Sequence, residues 1–146
     1  MLKDFRLDIK RENTDDETIQ SLFSGGEVLE AIKACRRTNR DPGRFAPALE
    51  EGIAKMFRSG RSNEILSLIH RYKIPCKYDV PTLLRALIHK KDYPGFLKQA
   101  YRFGVYHGFE REIALGIGWL RQRNQTDSAD AYVRKFAELA GNVQHR

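Results

Sequence analysis

Apolar residues recur along most of this chain at three- and four-residue steps, in stretches a few helical turns long, separated by short polar or glycine-bearing breaks. The pattern is clearest in the middle. Phe45, Leu49, Ile53, Met56 and Phe57 fall on one face of a helix. The break Ser59-Gly60-Arg61-Ser62 follows, with Gly60 supplying the left-handed residue of a tight helix end. Ile65, Leu68, Ile69 and Tyr72 then form the stripe of a returning helix, and Pro75 and Pro81 bound the next connection. Two amphipathic stretches joined so closely predict an antiparallel helical hairpin.

The same plan is visible three more times. Thr14 is the expected N-cap of a first helix, with Glu17 as its capping-box partner and Ile19, Leu22 and Phe23 as its apolar face. Ser24-Gly25-Gly26 ends it, and Glu27 to Thr38 makes the return, with Val28, Leu29, Ile32 and Cys35 inside. Asn39-Arg40-Asp41-Pro42-Gly43 is a turn cluster. A third hairpin runs through Leu83, Leu84, Leu87 and Ile88, breaks at Asp92-Tyr93-Pro94-Gly95, and returns through Phe96, Leu97, Ala100 and Phe103. A fourth runs through Ile113, Leu115, Ile117, Trp119 and Leu120, breaks from Arg123 to Asp127, and returns through Ala131, Tyr132, Phe136 and Leu139.

Gly25, Gly60 and Gly95 lie 35 residues apart, and Asp130 holds the next place in that register. Leu49, Leu84 and Trp119 share the spacing, as do Ile53 with Ile88 and Lys55 with Lys90. A fixed period in the thirties is the mark of stacked helical hairpins. The expected fold is all-α: a right-handed superhelix, or α-solenoid, of about four stacked antiparallel hairpins, with an irregular all-α bundle as the alternative. Residues 1–13 read as a polar N-terminal arm, 14–141 as the repeat domain and 142–146 as a tail. The longest apolar runs, such as Ile113 to Leu120, fall well short of the roughly 18–20 residues of a spanning helix, so no membrane insertion is expected.

Composition sharpens this picture at one point. The chain of 146 residues is 41% hydrophobic and 31% charged, the balance of a folded domain, and its net charge is +7. Residues 1–43 carry 8 Lys or Arg against 9 Asp or Glu, so the basic excess belongs to the remainder. Such an excess favours polyanions, nucleic acid above all. Cys35 and Cys76 form no CxxC pair and read as small apolar fillers in a reducing, intracellular setting; no metal and no cofactor is expected. No secretory signal is read at the N-terminus, and its acidic residues differ from a typical organellar transit peptide.

The stretch Ala48 to Arg61 (ALEEGIAKMFRSGR) resembles the first helix and the small-Gly-Arg turn of the pentatricopeptide repeat, a relative of the tetratricopeptide repeat. Ser62 to Tyr72 (SNEILSLIHRY) resembles its second helix, and Leu22 to Ala34 (LFSGGEVLEAIKA) the same turn and second helix. The resemblance spans residues 15–140, closely in one repeat and loosely in the others. It implies single-stranded RNA bound along a concave surface, commonly in mitochondria or plastids; otherwise the cytoplasm is expected. The family reads bases with Asn, Ser or Thr near the fifth position of a repeat and Asp or Asn at the last. Here those places hold Asp16, Glu51, Ala86 and Arg121, and Pro81 and Gly116, so the resemblance does not extend to the base-reading code. Several organellar assembly and ribosomal subunits resemble such repeats without reading a code, which implies a role in an organellar ribosome or similar assembly.

The candidate site follows from the same register. Lys55 and Lys90 are expected at equivalent places in neighbouring first helices, with Arg58, Lys91, Arg121 and Arg123 nearby. Stacked hairpins would align them into a stripe following a phosphate backbone, though the same residues also suit a solvated helix face. Tyr93, Phe96, Tyr101, Phe103, Tyr106, Phe109 and Trp119 crowd one region, and most are expected in the core. Tyr101 and Tyr106 are the expected exceptions, placed among Lys98 and Arg102 where exposed rings stack on unpaired bases. Arg102 to His107 spells R-x4-H, which resembles the active-site spacing of the all-α HEPN ribonucleases; there His107 would act on the 2′-hydroxyl proton and Arg102 on the phosphate charge. His70, His89 and His145 form no ligand spacing. The leading expectation is a non-catalytic adaptor for single-stranded RNA or an RNA-containing assembly. A protein–protein scaffold that holds a partner peptide or helix is second, and the ribonuclease third.

Overall fold

The computed structural model describes residues 15–144, with side chains described as far as residue 141. The described residues form eight α-helices and one 3₁₀ turn, with no strand among them, so the all-α class holds. In order they are α1 (Asp16–Ser24), α2 (Val28–Arg37), the 3₁₀ turn (Pro42–Phe45), α3 (Ala46–Arg58), α4 (Ser62–Tyr72), α5 (Val80–His89), α6 (Tyr93–Arg102), α7 (Glu110–Gln122) and α8 (Thr126–Gln144). The expected polar arm, residues 1–13, lies outside the described residues, as does Thr14.

Two compact units divide the chain, one reaching to Ser59 and one starting at Gly60. In the first, α1 packs on α2 and α3, and α2 on α3. Ile19 and Phe23 from α1, Val28, Ile32 and Cys35 from α2, and Leu49 and Ile53 from α3 are buried. Phe23 also stacks on Phe45 of the 3₁₀ turn, ring centroids 5.7 Å apart. The close approach of α1 to α3 depends on Gly52. A β-carbon there would run into the carbonyl oxygen of Phe23, main chain against main chain. Capping of α1 differs from expectation by one residue. Asp15 is the N-cap, its carboxylate accepting the Thr18 amide at 2.8 Å. Leu29, expected inside, is 38% exposed.

In the second unit α6 is the hub, packing on α4, α5, α7 and α8. Its Phe96, Leu97 and Ala100 are fully buried, beside Ile65 and Leu66 of α4, Leu83, Leu84 and Leu87 of α5, Ile113 and Leu120 of α7, and Phe136 of α8. Gly116 lets α7 close on Leu97, whose side-chain carbons lie 3.1–3.2 Å from where its β-carbon would be. Gly118, two residues on, has open space at that position.

The order of helices along the chain is as expected, but the strict register is not, and the expected second hairpin is divided, α3 falling in the first unit and α4 in the second. The helices expected to open the four pairs begin at residues 16, 46, 80 and 110, in steps of 30, 34 and 30. Gly25 and Gly60 stand in turns, whereas Gly95 lies inside α6 and Asp130 inside α8. The third break moves back to Lys90–Asp92 because Asp92 caps α6, accepting the Gly95 amide at 3.1 Å. Pro94 then sits in the first helical turn, where its missing N–H costs nothing.

Candidate anion-binding groove

The second unit carries a groove of about 610 Å³ lined by His70, Lys98, Tyr101, Arg102, Gly104, Tyr132, Lys135 and Leu139. Three helices supply it. Lys98, Tyr101 and Arg102 share one face of α6 by their three- and four-residue steps, and Tyr132, Lys135 and Leu139 share one face of α8. His70 comes from the last turn of α4. Three permanent cations and a histidine converge there, and no carboxylate stands among the described lining residues.

Lys135, Arg102 and His70 each have a neighbour that orients them. The Lys135 ammonium lies 5.2 Å from the Tyr101 ring centroid and 5.4 Å from that of Tyr132, a cation between two aromatic faces. Phe136, buried beneath, contacts the rings of Tyr101, Tyr106 and Tyr132 at 6.0–6.5 Å. Burial pushes the Tyr132 phenol above its ordinary pKa. Arg102 is oriented from behind by a polar clamp. Fully buried Gln99 donates its side-chain amide to the Asn63 carbonyl at 3.2 Å, to Asn63 Oδ1 at 2.7 Å and to Ser67 Oγ at 2.9 Å. Its Oε1 accepts from Arg102 Nη1 at 3.4 Å, which also reaches Ser67 Oγ at 3.5 Å. His70 packs edge-on against Phe103 at 5.7 Å. Desolvation first, then the charges of Arg102 and Lys73, hold its pKa below the usual histidine value.

Of the residues expected to bind RNA, Tyr101 lies in this groove. Tyr106 stands in the loop before α7, half-buried, its ring against His107 and Phe136. Lys55 and Arg58 are exposed in the last turn of α3, in the first unit. Lys90 does not match Lys55: α5 has 10 residues to the 13 of α3, so Lys90 falls just past the helix end. Its ammonium donates to the Gly60 carbonyl at 2.8 Å and pins the turn before α4. Lys91 takes a left-handed conformation, φ +65°. Arg121 pairs with Asp130 at 3.0 Å, and Arg123 lies 4.0 Å over the Trp119 ring. Phe96 and Phe109 are core, as expected for most of the aromatics, while Tyr93, Phe103 and Trp119 are half-buried.

His70, Tyr132 and Lys135 escaped the sequence reading as site residues. The signal available was the i, i+3 pairing of Tyr132 with Lys135, which matches that of Lys98 with Tyr101. The R-x4-H spacing is not carried by one helix. Arg102 is the last residue of α6, Gly104 turns the chain at φ +67°, and His107 sits in the loop with Nδ1 3.6 Å from Glu110 Oε2. Among the described residues, no group of three His, Cys, Asp or Glu is placed to hold a metal, and no helix is long and apolar enough to cross a membrane. Comparison of the chain with family models, curated proteins and solved structures finds no match.

Proposed function

We propose that this protein is a non-catalytic helical-hairpin adaptor, of the pentatricopeptide-like type, that binds single-stranded RNA or an RNA-containing assembly through the α4–α6–α8 groove. One observation carries the reading: Lys98, Arg102 and Lys135 meet two tyrosine rings in a single groove with no carboxylate among its described lining. Cations follow a phosphate backbone, and rings accept unpaired bases of any sequence. A duplex hides its bases, so the rings favour single strands.

Binding of an oligoribonucleotide of about ten nucleotides, followed by anisotropy across a salt series, tests it. Three phosphates neutralised predict a slope of log K against log salt of about −2. Lys98→Glu with Lys135→Glu should weaken binding more than about tenfold and flatten the slope. Absence of salt-sensitive binding at low ionic strength would sink the proposal. The scaffold alternative draws on Leu115 and Val133, which are 55% and 44% exposed on α7 and α8. It requires a protein partner that survives nuclease treatment during recovery from native extract.

A further inference from the structure

We infer that the groove takes up a proton together with its phosphate-bearing ligand, and that His70 receives it. The inference rests on the reading of the groove as a phosphodiester site. Among the described lining residues His70 is the one group with an ordinary pKa near neutrality, and the charged side chains that share the groove with it are Lys98 and Arg102 from α6 and Lys135 from α8, with Lys73 at the end of its own helix. Lys73 is anchored there, its ammonium donating to the His70 carbonyl at 2.8 Å. The Phe103 ring edge borders the imidazole, so part of its solvation is lost.

The sign follows from the charges. In the free protein, lost hydration and the neighbouring cations Arg102 and Lys73 disfavour the imidazolium. A phosphodiester brings a fixed negative charge that partly cancels that field and favours the charged ring. The pKa of His70 is then higher in the complex than in the free protein. Between the two values binding carries a proton with it, and affinity rises as pH falls. Phosphodiesters do not titrate in this range, so the ligand adds no pH dependence of its own. A groove built this way grips RNA more tightly in an acidified compartment or at an acidified assembly site.

The test uses the full chain and a single-stranded oligoribonucleotide lacking terminal phosphates. Binding is measured from about pH 8 to about pH 6, alongside NMR titration of the His70 ring with and without ligand. The expected result is an affinity gain of about threefold or more toward low pH, a ring that titrates higher when bound, and loss of the gain in His70→Gln. His107→Gln should keep it. If the oligonucleotide binds equally at all pH values, or His70→Gln retains the gain, the inference is overturned while the RNA reading survives. If the oligonucleotide binds at no pH, the RNA reading fails and sulfate, a non-titrating oxyanion, decides. An upward shift of the His70 ring pKa in sulfate supports proton uptake with an oxyanion, and an unmoved ring refutes it.

Discussion

Gly52 shows how much one absent side chain can decide. It occupies the middle of α3, where glycine is a poor helix former. It is tolerated because α1 and α3 approach so closely that the missing β-carbon is replaced by the Phe23 carbonyl. No rotamer change relieves a main-chain clash, so Gly52→Ala forces the helices apart. The expected cost is about 3 kcal/mol or more, read by denaturant unfolding. A variant within about 0.5 kcal/mol of the parent would show that the contact is looser than described. The sequence placed Gly52 inside a helical stretch but not what it packs against, because its role is set by a residue 29 positions earlier. Local pattern does not report such distances.

At the level of elements, the amphipathic periodicity made the helices legible, and their ends less so. Some starts are decided by which side chain reaches a free amide first. Asp15, Asp79 and Asp92 each do so, accepting from Thr18, Thr82 and Gly95. For Asp79, the hydrogen bonds from Thr82 hold the carboxyl below its ordinary pKa. A depressed carboxyl pKa stabilises the fold above the unfolded value of 3.8, and this contribution is lost as pH falls through the lower folded value. Asp79→Ala should lower Tm by about 2–4 °C at neutral pH, with a smaller difference from the parent in strong acid. Asp79→Asn, also a good cap, should keep most of the Tm while losing that acid dependence. An Asp79→Ala variant with an unchanged Tm would remove the cap from the account.

At the scale of the whole molecule, charge is divided unevenly. Residues 1–59 carry 11 basic and 11 acidic side chains, and residues 60–146 carry 15 and 8, so the entire net charge of +7 belongs to the second unit. Polyanion binding should follow that division. Lys55→Glu with Arg58→Glu, in the first unit, should change RNA affinity by less than about twofold, against the tenfold loss expected from the groove pair. Equal losses from both pairs would return the binding surface to the stripe that the 35-residue register suggested. The sequence made this site only half legible. Tyr101 with Lys98 and Arg102 was visible as one helix face, but Lys135 and His70 join them only through the packing of α4 and α8 on α6. A period read from glycines drifts once helices differ in length, and the ladder drawn from it drifted too.

The amide of Gln99 has a consequence for assembly. Faces of leucine and phenylalanine tolerate sliding past one another by a turn, since one greasy contact replaces another. An amide enclosed among Asn63 and Ser67 does not, because only one alignment satisfies its protons. A hairpin seated one notch away strands that group in a dry interior. The second unit thus carries its own check on how α6 seats against α4, built from a single glutamine.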